Sequence, residues 1–249
     1  MLHGLYRSDV APGEPQTLEL VSCTSTQDEL RPLAVAGAPS WSWVQAGLQS
    51  EGRGRRGRRW IAPAGSALMI SILLRSERPV AELPGLSLLG GLAVCAASER
   101  FGARPQLRWP NDVVCGDRKL AGVLPELAGA GAVLLGCGIN ARMSEGELPP
   151  TDRLSATSLF LETGLAPELP VLREALIAEL RARMATFESE GLAGLADELS
   201  ARDALRGRSL ELRLADGAVR RGMAGGIARD GALLVDGRPH HSGEVERVL

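Results

Sequence analysis

Two nine-residue apolar segments constrain the fold of this chain more than any other feature. ALMISILLR (67–75) and AVLLGCGIN (132–140) have the length of a strand and are almost uncharged. Hydrophobic residues make up 45% of the 249 residues but aromatic residues only 3%, so Leu, Val and Ala must form the core. Apolar runs of this length predict buried strands within a sheet.

Three further segments predict helices. In TSTQDEL (24–30), Ser25 or Thr26 can cap a helix, and an acidic residue three positions later can complete a capping box. The uncharged segment 83–98 is shorter than the ~20 residues of a membrane span and predicts a buried core helix. A third helix is amphipathic, and its polar face is expected to lie in solvent. Its apolar positions are Leu172, Leu176, Leu180, Met184 and Phe187, and its polar face carries Arg173, Glu174, Glu179, Arg181 and Arg183.

The remaining pattern divides the chain into two domains. WSWV (41–44) alternates like a strand, and Gly116 and Asp117 predict a hairpin turn. From about Leu205 onward, short strand-like runs are separated by Asp-Gly turns, which predicts a β-barrel of roughly 45 residues that depends on the main domain for stability. We therefore expect an α+β fold with a main domain at 1–204 and a small barrel at 205–249.

The charge balance and the cysteines restrict the class of protein. The chain has 28 basic and 30 acidic residues, a formal net charge of −2, which argues against a surface that tracks nucleic acid. Its four cysteines form no CxxC pair, as expected for reduced thiols in the cytoplasm without a zinc site. Acidic residues and prolines near the N-terminus disfavour a signal peptide. The sequence thus predicts a cytoplasmic protein that binds neither nucleic acid nor membranes.

A basic segment, GRGRRGRRW (52–60), stands out from this balanced background and lies between two predicted strands. Its glycines match the dinucleotide fingerprint, but Pro63 and a strand follow where that motif requires a helix. A P-loop would need Lys and Ser or Thr where Arg58 and Arg59 stand. The remaining alternatives are a nucleic-acid-binding RG segment, which is usually longer and repeated, and a solvated loop without function.

The motifs that accompany this segment favour a different interpretation. Gln49 precedes it, Trp60 ends it, and RWPND, RKLAG and GCGIN follow in that order. Together these motifs resemble the biotin protein ligases over residues 24–249. The resemblance implies a mixed β-sheet flanked by helices and a C-terminal SH3-like barrel. It also implies a form without the N-terminal DNA-binding domain that some members carry.

The resemblance implies a two-step reaction that uses ATP, Mg²⁺ and biotin. Biotin is activated as biotinyl-5'-adenylate with release of pyrophosphate, and is then transferred to a lysine of a biotin carboxyl carrier protein. The first step brings a carboxylate to a phosphate, and two unit charges at ~4 Å repel by on the order of 4 kcal/mol at an effective dielectric near 20. Guanidinium groups and glycine amides on a loop that covers the ligand can offset this repulsion.

The resemblance also assigns roles to individual residues. Lys119 would bridge the biotin carboxylate and the α-phosphate, and Arg53 and Arg55 would assist it in catalysis. Asp112 is a candidate neighbour of Mg²⁺. The residues implied for biotin are Ser25, Thr26, Gln49, Gly52, Arg53, Arg55, Lys119 and Gly122; those implied for the nucleotide are Arg55, Arg58, Asn111, Asp112, Lys119 and Asn140.

The chain departs from the family pattern at several positions. Gln27 replaces the usual Asn, Arg108 replaces the usual Lys, and Pro125 is expected to interrupt its strand. The segment 142–155, which matches the adenine-covering loop, has no aromatic residue to stack on the base. We expect a monomer or a homodimer. The alternative functions are a lipoate or octanoate ligase or transferase of the same fold, and an RG-loop nucleic-acid binder.

Overall fold

The structure is a computed structural model that describes residues 4–6, 13–129, 131–149 and 154–249. The helices are α1 (Thr26–Val35), α2 (Leu86–Glu99), α3 (Leu159–Thr163), α4 (Leu169–Glu190) and α5 (Ala196–Arg202). The strands are β1 (Gly4–Tyr6), β2 (Thr17–Leu20), β3 (Trp43–Ala46), β4 (Ala67–Arg75), β5 (Gln106–Arg108), β6 (Asp112–Cys115), β7 (Arg118–Gly129), β8 (Ala132–Asn140), β9 (Ser209–Arg213), β10 (Val219–Ile227), β11 (Leu233–Val235), β12 (Arg238–His240) and β13 (Glu244–Val248).

Among the described residues, the first eight strands form one mixed sheet in the order β1-β2-β3-β4-β8-β7-β6-β5. The two segments that first suggested a sheet, β4 and β8, are antiparallel partners at its centre, with Ala67 opposite Asn140 and Arg75 opposite Ala132. Only β2 and β3 pair in parallel, with α1 between them in the chain. The predicted hairpin at Gly116 and Asp117 joins β6 to β7.

Helices α2 and α4 pack on the sheet in the main hydrophobic cluster, and α1 packs on β3, β4, β7 and β8 in a second cluster. Leu86, Leu89 and Leu92 of α2 are fully buried in the main hydrophobic cluster, as the sequence predicts. Within the described residues, the helical stretch Val80–Glu99 is long and apolar enough to span a membrane by length and composition, but most of it is buried in the fold. It is accordingly a core helix of this fold.

Some predictions about these elements are wrong. Pro125 does not interrupt β7, which continues to Gly129; the strand has no neighbour on the β6 side beyond Gly122, where a proline is tolerated. The strand predicted at 41–44 begins at Trp43, because Trp41 has a positive φ of 73°. The polar face of α4 is not wholly in solvent. Arg173 is buried, its guanidinium lies over the ring of Trp43, and it pairs with Glu19 of β2 at 2.6 Å.

The last five strands form a separate antiparallel sheet in the order β12-β11-β10-β9-β13, consistent with the small barrel expected at the C-terminus. The Asp-Gly turns at Asp216, Asp230 and Asp236 lie between its strands, as predicted. Buried residues of this sheet, including Leu210 and Val245, belong to the same hydrophobic cluster as α2. The C-terminal sheet is therefore packed against the rest of the chain.

Candidate functional site

A cleft of about 310 Å³ opens between the arginine segment, the start of α1 and the centre of the main sheet. The segment connects β3 to β4, as predicted, and covers the face of the sheet formed by β4, β6, β7 and β8. One end of the cleft carries neutral polar groups, and the other end carries charged groups. We call these the neutral end (Ser25, Thr26, Gln27, Gln49 and Ser71) and the charged end (Arg53, Arg55, Arg58, Asp112 and Lys119).

The neutral end is a network of hydrogen bonds among side chains brought together from α1, β4 and the start of the arginine segment. The Thr26 backbone N–H and hydroxyl both donate to Gln49 Oε1, at 2.7 and 3.1 Å. The Thr26 hydroxyl also lies 2.7 Å from that of Ser71. Because Thr26 has a single hydroxyl proton, Ser71 must donate to Thr26. Gln49 therefore keeps its Nε2 donors for a ligand.

Ser25 lies at the start of α1 and lines this end of the cleft with only 2% of its surface exposed. It occupies the N-cap position, but its side chain makes no capping hydrogen bond, so the predicted capping box is wrong. Its backbone carbonyl accepts from Glu29 at 3.2 Å. The hydroxyl is thus available to a ligand rather than committed to the helix.

Trp60 forms one wall at the middle of the cleft by lying across two glycines. Gly122 of β7 is the register partner of Gly138 of β8, and a Cβ at Gly138 would come within 2.5 Å of the Trp60 ring. The sheet therefore needs glycine there for the indole to approach it. The Trp60 indole N–H is buried and has no hydrogen-bond partner in the described part of the chain. Trp60, which ends the arginine segment in the sequence, thus lines the cleft.

Lys119 and Asp112 form the centre of the charged end. They lie on neighbouring strands, and Lys119 Nζ is 2.6 Å from Asp112 Oδ1. The same ammonium is 5.7 Å from the centroid of the Trp60 ring. Two hydrogen bonds, from its N–H to Ser155 and from Thr157 to its carbonyl, hold the Lys119 backbone. The ammonium is consequently fixed beside the cleft with one anionic partner.

Arg53 and Arg55 differ in how their charges are satisfied. Arg53 donates to both oxygens of Asp28, at 2.8 and 2.7 Å, and to both oxygens of Glu126, at 3.2 Å. Burial alone would lower the pKa of Arg53, but these hydrogen bonds outweigh it and raise the pKa. The guanidinium of Arg55 has no hydrogen bond or ion pair with any described residue. Burial lowers the pKa of Arg55, and the neighbouring Arg56 adds to that effect.

Three further arginines tie the segment to its surroundings. Arg56 and Arg58 both pair with Glu244 of the C-terminal sheet, Arg56 at 3.2 Å. Arg59 donates to the carbonyl of Ser50 at 2.6 Å. Arg58 and Arg59 also line the cleft, whereas Arg56 does not. The segment is therefore held in place by carboxylates of α1, β7 and β13 and by its own backbone.

Two residues predicted for the site do not line the cleft. Gly52 lies under Gln49 and Trp60, and a Cβ there would come within 2.5 Å of the Trp60 carbonyl oxygen. Asn140 is buried beneath Lys119, where its Nδ2 donates to the Thr157 carbonyl at 2.8 Å. Asn111, by contrast, lines the cleft and donates to the Val123 carbonyl. In the segment 142–155, residues 150–153 lie outside the described residues, and Leu154 lines the cleft.

Among the cleft residues that sequence reasoning did not assign to the site, three carry side chains that can take part in hydrogen bonding or acyl chemistry. Gln27 and Ser71 are polar side chains buried at the neutral end, and Cys137 contributes a buried thiol. Burial raises the pKa of Cys137 to about 12, so it is a neutral thiol at physiological pH. For Gln27 the signal was its position directly after Ser25 and Thr26, where it departs from the family pattern, whereas Ser71 was only an isolated polar residue in an apolar strand. No cluster of three or more possible metal ligands occurs in the described ranges.

A second cavity of about 840 Å³ adjoins the cleft, and Arg55 and Leu124 line both. It lies between the edge of β7, the region around Leu83 and the C-terminal turn at Gly231. Trp109 borders this cavity and donates its indole N–H to the Gly231 carbonyl at 3.0 Å. The charged end of the cleft is therefore accessible from two directions.

Comparison with known proteins agrees with this geometry. Residues 20–141 match the biotin/lipoate A/B protein ligase family. The chain is 37% identical to the bifunctional ligase/repressor BirA of Escherichia coli over 80% of its own length, and the match spans 64% of that relative. It is 35% identical to the biotin–[acetyl-CoA-carboxylase] ligase of Mycobacterium tuberculosis over 88% of this chain and 83% of that one.

Among solved structures, the biotin protein ligase from Aquifex aeolicus in complex with biotin and ATP has a TM-score of 0.79 and 25% identity. The superposition covers 92% of this chain and 97% of that one, including the C-terminal sheet. Sequence and structural similarity extend over most of both proteins. The chain therefore belongs to the biotin/lipoate A/B protein ligase family and, within it, to the biotin protein ligases.

Proposed function

We propose that this protein activates biotin with ATP as biotinyl-5'-adenylate and transfers the biotinyl group to a lysine of a biotin carboxyl carrier protein. The observation that carries this proposal is the arrangement of the cleft. A neutral hydrogen-bonding end and a cationic end are joined by an apolar middle formed by Trp60, Ile70 and Val123. The neutral end complements a polar ring, the apolar middle complements an aliphatic chain, and the cationic end complements a carboxylate next to phosphates.

The neutral end supports binding of the ring of biotin. Thr26 and Gln49 lie within one hydrogen-bond network, Ser25 lines the same end of the cleft, and Gln49 Nε2 remains available as a donor. A site whose donors and acceptors are buried and already oriented discriminates strongly against ligands that cannot pair with them. The lipoyl ring has no N–H or carbonyl group, which favours biotin over lipoate.

The charged end supports the coupling of a carboxylate to the α-phosphate. Lys119 is a compact cation that can lie between two oxyanions. Arg55 adds a guanidinium that forms no hydrogen bond or ion pair with a described residue, although the carboxylates of Glu244 and Asp112 favour its charge from a distance. Because the substrate carboxylate is itself the nucleophile, the protein needs to supply only orientation, charge compensation and exclusion of water. Attack on the α-phosphorus forms the mixed anhydride, and the bond to pyrophosphate breaks.

An acyl-enzyme route through cysteine has no support. Octanoyl transfer requires a thiolate near a base, and the only cysteine that lines the cleft, among the described residues, is Cys137. Its raised pKa keeps it protonated, and no histidine lines the cleft. The transferase alternative is therefore less consistent with the site than adenylation.

Asp112 and Asn111 fit a magnesium ion that arrives with the nucleotide. Mg²⁺ commonly uses one or two protein carboxylates together with substrate phosphates and water, and Asp112 is the carboxylate in the cleft. The ion would supply further charge neutralisation at the phosphates. Asp112 would then exchange part of its contact with Lys119 for the cation, which leaves the ammonium for the substrate.

The second cavity supports access for the acceptor lysine. It meets the cleft at Arg55, beside the expected position of the acyl phosphate. Its border carries both carboxylates and guanidiniums: Glu82, Glu126, Glu190, Asp230, Arg78 and Arg229. The size of the cavity and its opening onto the cleft at Arg55 give a lysine side chain a path to the acyl phosphate. Attack of the deprotonated amine on the acyl carbon forms the amide bond and releases AMP.

We propose the following assignments for the site residues and the domains. Ser25, Thr26, Gln49, Gly52 and Gly122 form the biotin site, Arg58, Asn111, Asp112 and Asn140 form or support the nucleotide site, and Lys119, Arg53 and Arg55 serve both. The main domain comprises 1–204, and the barrel comprises 205–249. The four free cysteines favour a cytoplasmic location.

Pyrophosphate release from ATP by the purified protein tests this function directly. Release should depend on biotin and should not occur with lipoate or octanoate in its place. Biotin and Mg-ATP together should also stabilise the fold against heat more than either does alone. Pyrophosphate release at the same rate with and without biotin would rule out the proposal. Binding of nucleic acid that does not depend on biotin and weakens steeply as salt is raised would favour a nucleic-acid binder.

A further inference from the structure

Gln27 lies at the neutral end of the cleft in a fixed orientation that leaves one polar atom unused. Only 4% of the residue is exposed. Its Nε2 donates to the Leu124 carbonyl of β7 at 3.0 Å and to the Leu134 carbonyl of β8 at 3.3 Å. Both amide hydrogens are thus used. No described residue donates to Oε1, so the side chain presents a hydrogen-bond acceptor.

The amide of Gln27 lies against the floor of the cleft at Gly136. A Cβ at that glycine would stand 3.1 Å from Gln27 Cδ and 3.3 Å from Oε1. Gly136 and Gln27 both line the cleft. A side chain at 136 would therefore displace the amide, and glycine there lets Gln27 reach between β7 and β8.

The other polar groups of the neutral end complete a pattern of donors and acceptors. Gln49 Oε1 already accepts two hydrogen bonds from Thr26, so Nε2 is its free group and is a donor. Ser71 gives its proton to Thr26 and keeps its lone pairs as acceptors. Acceptors at Gln27 and Ser71 and donors at Gln49 match a carbonyl flanked by two N–H groups.

We infer that Gln27 is a specificity-determining residue that accepts a hydrogen bond from one ring N–H of a cyclic urea. This inference rests on the proposed function, because the ureido ring of biotin is the cyclic urea concerned. A dithiolane ring would leave the buried acceptor without a donor, which disfavours lipoate. Gln27 thereby adds a contact at a position where the resemblance to the family provides a different residue.

The test uses biotin and two analogues, each methylated at one of the two ring nitrogens, in calorimetric titrations. One isomer should bind the unaltered protein at least about tenfold more weakly than biotin, because it lacks the N–H and its methyl group meets Gln27. Gln27→Ala should bind biotin about tenfold more weakly and accept that isomer as well as it accepts biotin, since the methyl group fills the vacated space. The affinity of the other methylated isomer should not be increased by Gln27→Ala.

Gln27→Met is the matched control, because it keeps the volume of the side chain while removing the amide. It should weaken biotin binding as Gln27→Ala does but should not rescue either methylated isomer. Both variants should raise the KM for biotin with little change in kcat or in the KM for ATP.

Two results would overturn the inference while leaving the proposed function intact. One is equal binding of biotin and both isomers by the unaltered protein, a result that does not depend on the folding of any variant. The other is uniform weakening of all three ligands in Gln27→Ala together with a lower unfolding temperature, which would assign Gln27 only to the bridge between β7 and β8. Absence of any biotin binding by the unaltered protein would instead contradict the proposed function.

Discussion

The two ends of the cleft bind by different physical means. At the neutral end, the buried residues Thr26 and Ser71 and the half-buried Gln49 orient one another through hydrogen bonds of 2.7–3.1 Å. At the charged end, Arg53 and Lys119 are paired with Asp28, Glu126 and Asp112. The neutral end is therefore preformed, whereas an anionic ligand at the charged end must compete with carboxylates that already hold the cations.

This difference separates selection from catalysis. Uncharged hydrogen bonds in a buried network depend on geometry and respond little to salt, so the neutral end can select a ring. Charged groups near the surface are screened by salt but act strongly on charge that develops between reacting oxyanions. We expect substitutions at the neutral end to change KM for biotin and those at the charged end to change turnover.

The largest effect is expected for Lys119→Met. Loss of the ammonium removes the cation beside the reacting oxyanions, and biotin-dependent pyrophosphate release should fall by about a thousandfold. Biotin binding measured without ATP should change much less, because the ring site is untouched. Arg118→Met is the control: the neighbouring side chain is half exposed, pairs with Glu162 and does not line the cleft. Near-normal turnover by Lys119→Met would contradict the role of this lysine.

Arg55→Met should have the second-largest effect. Arg55 lines the cleft and forms no hydrogen bond or ion pair with a described residue, so its guanidinium can contact the phosphates without breaking one. We expect kcat/KM for ATP to fall by roughly 10–100-fold, and the difference from the unaltered protein to shrink as salt is raised.

The neighbouring Arg56 provides an internal comparison for this prediction. Its guanidinium pairs with Glu244 and does not line the cleft. Arg56→Met should therefore reduce kcat/KM for ATP by several-fold less than Arg55→Met. Equal losses in the two variants would mean that the net charge of the segment matters, and not the arrangement of its partners.

The contrast between the two ends could be predicted from the sequence only in part. The strands β4 and β8 were predicted with their observed bounds, because long apolar runs in the middle of a sheet admit few alternatives. The arginine segment and Lys119 were found because they belong to motifs whose order is distinctive. A motif does not show which residue pairs with each charged side chain. Asp28, Glu126 and Glu244 were therefore not predicted as the ion-pair partners of the arginine segment.

The missed features depend on contacts between distant segments. Thr26 and Ser71 meet only through the packing of α1 on β4, and no local pattern encodes that meeting. Arg173 and Arg183 were expected in solvent because a helical pattern cannot distinguish water from a carboxylate on another element, here Glu19 and Glu198. Asn140 follows the glycines of β8 in the chain, but its side chain is buried and donates to the backbone carbonyl of Thr157.

A smaller effect is expected at the neutral end for Thr26→Val. The substitution leaves Gln49 and Ser71 without a hydroxyl partner, and KM for biotin should rise about tenfold with kcat and KM for ATP unchanged. Thr163→Val removes a comparable hydroxyl, which donates to the Leu159 carbonyl in α3, and should leave KM for biotin unchanged. If the rise in KM for biotin in Thr26→Val varied strongly with salt concentration, the division of the cleft into a neutral and a charged end would be contradicted.

The smallest effect is expected for Asp28→Asn, which tests whether carboxylates at the charged end compete with the ligand. Asp28 is 45% exposed, so its pair with Arg53 contributes about 1 kcal/mol or less. Releasing Arg53 should tighten binding of ATP in the presence of biotin by up to about fivefold, measured by calorimetry. Glu29→Gln removes the same charge one residue further along α1, where no described residue forms an ion pair with it, and should change binding less. If Asp28→Asn weakened binding while Glu29→Gln did not, Asp28 would orient Arg53 for the ligand, and the charged end would be preformed in the same sense as the neutral end.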